Sequence, residues 1–205
     1  MSAPRPTRNV GDLSALPESA TGHRHLVWWG NVGFMAIEGT GFALAAGTYL
    51  YLAAQSASWP PAGTAMPGLL WSTLFTVGLI VSEAPNRWVC GSATARDERR
   101  VRLGALIMSL VGVALLAVRA VELGHLWVSW DDNAYGSVVW LLMVLHTSHV
   151  LTDWIDTVVQ AVWLHTHEIG DDQYADVEDN ANYWSFVVYA WLPIYALVYW
   201  FPRLV

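Results

Sequence analysis

The hydrophobic and polar positions along the chain divide it into five long apolar segments separated by polar loops. The segments cover approximately residues 26–52, 69–89, 101–121, 138–163 and 182–202. A helix of about 20 apolar residues can cross the ~30 Å hydrocarbon core of a membrane. The pattern therefore predicts an all-α, polytopic membrane protein, with residues 26–205 forming a bundle of five transmembrane helices. The second segment is the weakest, because it ends raggedly at residues 83–88.

The composition agrees with this fold class and argues against others. Of the 205 residues, 55% are hydrophobic and 13% are charged, about half the charged share of a soluble domain. This excludes a disordered chain or a coiled coil. The single cysteine, Cys90, allows no internal disulfide, and the net charge of −7 argues against a nucleic-acid partner. Residues 1–25 are polar with several Pro and Gly, which predicts a mobile N-terminal arm.

The distribution of Arg predicts the orientation of the bundle. The loop between the second and third segments holds the main basic cluster, which consists of Arg87, Arg96, Arg99, Arg100 and Arg102. Basic loops remain on the cytoplasmic side of a membrane. With five spans, the N-terminus then also lies in the cytoplasm, as does the acidic segment at residues 168–179.

The first segment contains a single charged residue, Glu38. A charge inside a membrane helix faces protein or water and normally has a partner. Gly39, Ala43 and Gly47 recur every four residues on the same helix, which predicts the close approach of another helix. Two interpretations of Glu38 stay open: a carboxyl that is hydrogen-bonded for packing, or a group that relays protons or contacts lipid.

The fourth segment carries His146, His149, Asp153 and Asp156 at offsets that place them on one helical face. Such a face could ligate a metal or haem, or it could be a hydrogen-bonded polar seam inside the bundle. We prefer the seam, because no second His-x-x-His or Glu-x-x-His motif lies in another span. No metal site is therefore assigned.

Two further groups of polar residues have a simple interpretation. Arg119 and Glu122 are three residues apart, which predicts an ion pair on one helical face. His165, His167 and Glu168 resemble a loose metal-binding cluster, but we interpret them as a solvated helix end. No phosphate-binding loop, nucleophile elbow or zinc-protease motif is present, so no self-contained catalytic centre is predicted.

Three blocks of the sequence, in the correct order, resemble subunit III of the haem–copper oxidases. In the first, Ile37 and Glu38 fill the place of the family's "F-I-x-S-E" run, which carries a membrane-embedded glutamate. The second comprises residues 119–122 (RAVE), 132–137 (DNAYGS) and 146–150 (HTSHV), similar to the family's A-x-E, Y-G-S and H-G-x-H-V. The third runs from Glu178 through residues 183–187 (YWSFV) to Trp200, similar to the family's closing helix.

The resemblance implies a non-catalytic subunit of a respiratory terminal oxidase, in its short five-helix form, in a bacterial plasma membrane. Such a subunit holds no haem or copper, which lie in the partner. It packs against the catalytic haem–copper subunit and other oxidase subunits, binds phospholipid and supports proton uptake. By position, Glu38 would be the embedded carboxyl, and Glu178 would lie just before the final helix. Glu122, His146 and His149 would be interior polar contacts.

The sequence also departs from the family pattern. Ser185 stands where the family usually has His, and Thr147 replaces Gly. Asp153 and Asp156 lie in a helix that is usually apolar at that point. Three alternatives therefore stay open. They are an accessory subunit of a nitric oxide reductase, a small membrane protein that itself binds a metal or haem, and a proton-coupled transporter that uses Glu38 and Asp153.

Overall fold

The computed structural model describes residues 26–205, which are helical apart from short connections. The five long helices are α1 (Leu26–Gln55), α2 (Leu69–Thr94), α3 (Glu98–Leu123), α4 (Ala134–Thr166) and α5 (Asp171–Tyr195). A π-helical turn (Ala196–Trp200) and the short helix α6 (Phe201–Leu204) extend α5. Residues 26–205 contain no strand, so the predicted all-α class is confirmed. The mobile arm predicted at residues 1–25 lies outside the described residues.

The helices have the dimensions of membrane spans. Three stretches are long and apolar enough to cross a membrane: Glu98–Leu123, Ala134–Thr166 and Asp171–Leu204. Helices α1 and α2 have 30 and 26 residues, and at 1.5 Å per residue each is at least about 39 Å long. The most apolar stretches of these two helices are less hydrophobic than those of the other three. Helix α1 contains many Gly, Trp and Tyr residues, which lower its mean hydropathy, and α2 contains Glu83, Asn86 and Arg87. The chain is thus a multi-helix membrane protein.

Two helices extend furthest beyond the segments predicted from the sequence pattern. Helix α2 continues through Pro85 to Thr94 instead of fading near residue 89. The Arg87 Nε atom lies 2.6 Å from Glu83 Oε1 one turn earlier, so the polar end of the segment is held within the helix. Helix α5 begins at Asp171 rather than near residue 182, so the acidic segment forms the first turns of a helix. Acidic residues are favourable there because they face the positive end of the helix dipole.

Side-chain caps fix where two of the helices begin. The Asp97 carboxylate accepts a hydrogen bond from the backbone N–H of Arg100 at 3.1 Å, just before α3. The Asn133 side-chain oxygen accepts one from the N–H of Gly136 at 2.9 Å, just before α4. Each cap satisfies a backbone donor that the first turn of a helix leaves free.

Helices α4 and α5 pack on each other, and each also packs on α1 and on one further helix. Helix α2 packs on α3 and α5, α3 packs on α4, and α1 lies at one side against α4 and α5. Glycines allow close approach at two crossings: a Cβ atom at Gly104 would meet Val89, and one at Gly112 would meet the Trp154 ring. The interior therefore depends on small residues in α3, as membrane helix interfaces commonly do.

The predicted small-residue stripe on α1 makes only one such contact. A Cβ atom at Gly39 would lie 3.7 Å from the Phe186 ring of α5. At Gly47, nothing in the described part of the chain lies within 4 Å, and Ala43 is exposed. The close approach of another helix that the stripe predicts is therefore present at Gly39 but not at Ala43 or Gly47.

Candidate functional site

Glu38 lies where α1, α4 and α5 meet, and it contacts two other polar side chains. Its Oε1 atom is 3.2 Å from His149 Nε2 in α4, and its Oε2 atom accepts a hydrogen bond of 2.7 Å from the Tyr183 hydroxyl in α5. The side chains of Glu38 and His149 are 13% and 12% exposed. The Phe42 ring lies 4.8 Å from the imidazole of His149 and covers it from α1. We refer to Glu38, His149 and Tyr183 as the carboxyl–imidazole cluster.

The geometry of His149 determines how a proton is shared in this cluster. Its Nδ1 atom is 2.6 Å from the backbone carbonyl of Leu145, and a carbonyl only accepts, so Nδ1 carries a hydrogen. A hydrogen bond between Nε2 and Glu38 Oε1 requires one further proton between them. Two arrangements satisfy that bond: a protonated carboxyl opposite a neutral imidazole, or a carboxylate opposite an imidazolium. The pair can therefore pass one proton between two atoms 3.2 Å apart.

An open cleft of about 1140 Å³ leads to this cluster between α1, α4 and α5. Its apolar wall includes Phe34, Val159 and Trp163. Its polar wall includes Glu38, His149, Asp153, Asp156, Asp176, Asp179, Asn180 and Tyr183. The cleft thus combines an apolar surface, suited to a membrane, with a row of carboxyl groups.

Asp153 and Asp156 lie in the cleft and share one amide partner. The Asn180 side-chain N–H₂ group is 3.4 Å from Asp153 Oδ1 and 3.1 Å from Asp156 Oδ2. Its oxygen accepts from the Thr157 hydroxyl at 3.2 Å. Asp153 is only 3% exposed, and its Oδ2 atom has no hydrogen-bond partner in the described part of the chain. Asp156 is exposed.

Arg119 and Glu122 form a second, separate cluster in the interior. The two side chains are 1% and 2% exposed, and Arg119 Nη1 lies 2.9 Å from Glu122 Oε2, so the predicted ion pair is present. The guanidinium lies between the rings of Phe75 and Trp191, at 3.6 and 4.0 Å from their centroids. The Tyr199 hydroxyl donates to Glu122 Oε1 at 2.5 Å. A charge in this position is stabilised by its counter-ion and by two aromatic faces.

His146 belongs to this second cluster. Its Nδ1 atom is 3.1 Å from Arg119 Nη2, and since a guanidinium only donates, Nδ1 accepts. Its Nε2 atom then carries the hydrogen and donates to the carbonyl of Val187 at 3.1 Å. Both ring nitrogens are therefore engaged within the protein.

The polar face predicted on α4 is thus divided between three sets of partners. His146 bonds to Arg119, His149 contacts Glu38, and the two aspartates share Asn180. Within residues 26–205, no group of three or more His, Cys, Asp or Glu side chains is placed to hold a metal ion. At the end of α4, the His167 ring stacks on Trp163 with centroids 4.8 Å apart. The geometry supplies polar contacts between helices rather than a converging ligand set.

Glu178 lies inside α5 rather than before the last helix, because α5 already begins at Asp171. Its Oε1 atom accepts a hydrogen bond of 2.9 Å from the Thr94 hydroxyl, at the last residue of α2. The placement inferred from the resemblance was therefore wrong by more than one turn. The side chain joins α5 to the end of α2 and does not line the cleft.

The sequence analysis missed a polar seam between α2 and α5. The Asn86 side-chain N–H₂ group donates to the Ala181 carbonyl at 2.8 Å and to Ser185 Oγ at 3.1 Å. Ser185 Oγ in turn donates to Glu83 Oε1 at 2.7 Å. This explains the departure at residue 185, because a small hydroxyl fits between two polar groups of α2. Buried polar residues recur along one face of α2, which is the signal that would have revealed the seam: Ser72, Thr76, Ser82 and Asn86.

Comparisons with known proteins agree with the residue blocks. The sequence profile of the family described as "Cytochrome c oxidase subunit III" matches residues 34–203. A protein of Synechocystis sp. named "Cytochrome c oxidase subunit 3" is 26% identical over 180 residues, covering 87% of this chain and 77% of the relative. Proteins of the same name from Danio rerio and Ornithorhynchus anatinus are 25% and 23% identical over 143 residues. That alignment covers 69% of this chain but only 55% of each relative, so the chain spans about half of their length. The order of the three motif blocks, the bundle of long apolar helices and the match across most of the sequence lead to one conclusion: the chain belongs to the cytochrome c oxidase subunit III family.

Proposed function

We propose that this chain is a non-catalytic subunit of a respiratory haem–copper oxidase, and that it stabilises the catalytic subunit and supports its proton uptake. The family assignment supports membership of an oxidase complex. The haem and copper would be held by the catalytic subunit, because the described residues of this chain do not fit either group. Both ring nitrogens of His146 are used in internal contacts, and His149 Nδ1 is bonded to Leu145.

The carboxyl–imidazole cluster is the observation that supports a role in proton uptake. Glu38 and His149 lie within reach of a shared proton at 3.2 Å, and the Tyr183 hydroxyl donates to the other oxygen of the carboxyl. When a proton enters at Glu38 opposite a neutral His149, the imidazole can take it up on Nε2, 3.2 Å away, without any movement of the helices. The cleft gives this pair a polar route to the end of α4 and the start of α5.

The orientation proposed for the bundle places the mouth of the cleft in the cytoplasm of a bacterial cell. The basic connection between α2 and α3 lies at the same end as the start of α5, because Arg96 pairs with Asp171 at 2.8 Å. Arg102 also donates to the His167 carbonyl at 3.1 Å, close to the end of α4. Since basic loops remain in the cytoplasm, protons would enter the cleft from that side.

The first experiment identifies the complex. A tagged form of the chain is purified from native membranes in mild detergent, and the large subunits that accompany it are identified by mass and by haem absorption. We expect a haem–copper subunit with oxygen-reducing activity. A partner that reduces nitric oxide instead would assign the chain to that reductase, and a chain that purifies alone with a haem spectrum would overturn the proposal.

The second experiment tests Glu38 in the purified complex. Glu38→Gln preserves the shape of the side chain but removes the group that shares the proton with His149. We expect normal assembly with slower proton uptake, or with faster loss of activity during turnover. Glu178→Gln is the matched control, because that carboxyl lies on α5 outside the cleft. Equal behaviour of the two variants would leave Glu38 with a packing role only.

A further inference from the structure

A row of polar side chains follows α4 through the bundle and is interrupted by a guanidinium. Glu38 and His149, 3.2 Å apart, line the cleft on one side of this guanidinium. His146 lies one helical turn earlier in α4, and its Nδ1 atom accepts from Arg119 Nη2. Glu122 lies on the other side, 2.9 Å from Arg119 Nη1. One imidazole and one guanidinium therefore separate the carboxyl of the cleft from the carboxyl of α3.

Both ring nitrogens of His146 are engaged in a way that prevents proton relay. Nδ1 accepts a hydrogen bond of 3.1 Å from Arg119, and the Nε2–H group donates to the Val187 carbonyl at 3.1 Å. An imidazole relays a proton by accepting it on one nitrogen while releasing another from the opposite nitrogen. Here the accepting nitrogen faces a guanidinium, which only donates. The relay is therefore blocked at the side that faces Arg119.

Aromatic rings from three other helices enclose the same imidazole. The ring centroids of Phe42 in α1, Phe75 in α2 and Trp191 in α5 lie 6.2, 6.1 and 4.8 Å from that of His146. Phe75 and Trp191 also pack on the guanidinium of Arg119. We name Phe42, Phe75 and Trp191 the aromatic collar. A buried water molecule needs two to four polar partners, and the faces of these rings do not supply them.

We propose that Arg119 and the aromatic collar form a proton barrier inside the bundle. Protons exchange between the cleft and the carboxyl–imidazole cluster, but they do not pass beyond His146 to the opposite surface of the membrane. A fixed positive charge excludes protons from a polar path by electrostatic repulsion, and a guanidinium keeps its charge in proteins. A membrane subunit with such a barrier holds a proton-accepting group without dissipating the proton gradient.

This inference rests on the proposed exchange of protons at Glu38, but not on the identity of the complex. The two proposals have separate readouts. Passive proton leak through the full chain in lipid vesicles measures the barrier, whereas proton uptake during turnover of the oxidase measures the proposed function. A leak-tight chain in a complex that ignores Glu38→Gln would contradict only the proposed function.

The leak experiment compares two substitutions of Arg119. A potassium diffusion potential drives protons into the vesicles, and a trapped pH-sensitive dye records their entry. Arg119→Met and Arg119→Lys are a matched pair, because both remove the guanidinium but only the first removes the charge. We expect Arg119→Met to leak about tenfold faster than the wild type, which corresponds to about 1.4 kcal/mol of barrier, and Arg119→Lys to stay close to the wild type. Equal leak of the two variants, or no increase for Arg119→Met, would overturn the proposal.

Second substitutions in the Arg119→Met background separate a defined route from damage to the fold. His146→Phe removes the imidazole that would accept the proton, and Glu38→Gln removes the carboxyl on the side of the cleft. Each is expected to return the leak to nearly the wild-type rate. Glu178→Gln, outside the cleft, is expected to leave the leak unchanged. A misfolded chain would leak in all three double variants, so a leak that persists with His146→Phe or Glu38→Gln would contradict the barrier.

A substitution in the aromatic collar tests the exclusion of water. Phe42→Ala opens space beside the imidazole but leaves Arg119 in place. We expect a leak between those of the wild type and Arg119→Met, because the charge remains, and a faster leak when the two substitutions are combined. Leu44→Ala, at an exposed position of the same helix, is the control. If Phe42→Ala behaves like this control in both backgrounds, the collar is not part of the barrier.

Discussion

The buried pair of Arg119 and Glu122 allows a sharp prediction about which of its two partners can be removed at lower cost. Glu122→Gln keeps the shape of the side chain but leaves a charged guanidinium in the interior. Arg119→Met leaves a carboxyl, which can become neutral by taking up a proton and can keep its bond from Tyr199. A guanidinium has no such alternative, because it stays protonated in proteins.

The structure sets the size of the effect. At 2.9 Å, two unit charges attract each other by about 6 kcal/mol at an effective dielectric constant of ~20. In Glu122→Gln the rings of Phe75 and Trp191 still contact the Arg119 guanidinium. Such cation–π contacts stabilise a desolvated cation by about 2 kcal/mol and offset part of the lost attraction. We therefore expect Glu122→Gln to reduce the free energy of unfolding by about 3–5 kcal/mol. Arg119→Met is expected to reduce it by about 2 kcal/mol, chiefly through the lost ring contacts.

The assay is the unfolding of the purified chain in mixed micelles, titrated with a denaturing detergent and followed by tryptophan fluorescence. The double variant, Arg119→Met with Glu122→Gln, is the decisive measurement, because it leaves neither a guanidinium nor a carboxylate buried without its counter-ion. We expect it to be more stable than Glu122→Gln alone, which requires strong coupling between the two sites. Additive losses in the double variant, or a larger loss for Arg119→Met than for Glu122→Gln, would refute the reasoning.

Three other outcomes are expected. Gly112→Ala should lower the free energy of unfolding in the same assay by about 1–3 kcal/mol, because the new methyl group would clash with the Trp154 indole of α4. Its control, Gly91→Ala, should be neutral or stabilising, because nothing in the described part of the chain lies within 4 Å of the new methyl group. Trp184→Phe should cost about 1–3 kcal/mol, since it removes a buried indole hydrogen bond of 2.9 Å to Ser82 Oγ in α2, which then keeps only its bond to the Leu79 carbonyl. If the proposed role in proton uptake holds, Asp153→Asn should slow that uptake more than Asp156→Asn, because only Asp153 is a buried carboxyl in the cleft that holds the carboxyl–imidazole cluster. Equal rates for the two Asn variants would remove Asp153 from the route.

The sequence predicted the helices well because membrane spans have a strong signal. Long apolar stretches must be helical in lipid, where every backbone group needs an internal partner. The spacing of Arg119 and Glu122 was also sufficient, because residues three apart on a helix are neighbours whatever the tertiary structure. The bounds were less accurate at α5, where Asp171 and the residues after it carry charges that hydropathy alone assigns to a loop.

The site was only partly predictable, because it depends on contacts between helices. Spacing placed His146 and His149 on one face of α4, but it could not show that they bond to different helices, α3 and α1. The partner of Glu38 in α5, Tyr183, lies 145 positions away in the chain. Such pairings follow from crossing angles and from small residues such as Gly112, which no single helix pattern reveals.

The π-helical turn at Ala196–Trp200 changes the direction in which the side chains after it project from the last helix. Eight residues separate Trp191 from Tyr199, so a regular α-helix would carry the second side chain about 80° past the first. A π turn takes up an additional residue, which brings Tyr199 back toward the face that meets the buried ion pair. The Trp191 ring packs on the Arg119 guanidinium and the Tyr199 hydroxyl donates to Glu122. Both residues of the ion pair are therefore stabilised by side chains that follow one another along the same chain segment. A relative without the π turn would need one residue fewer to bring the same tyrosine to the same place, and a one-residue gap is expected in an alignment at this point.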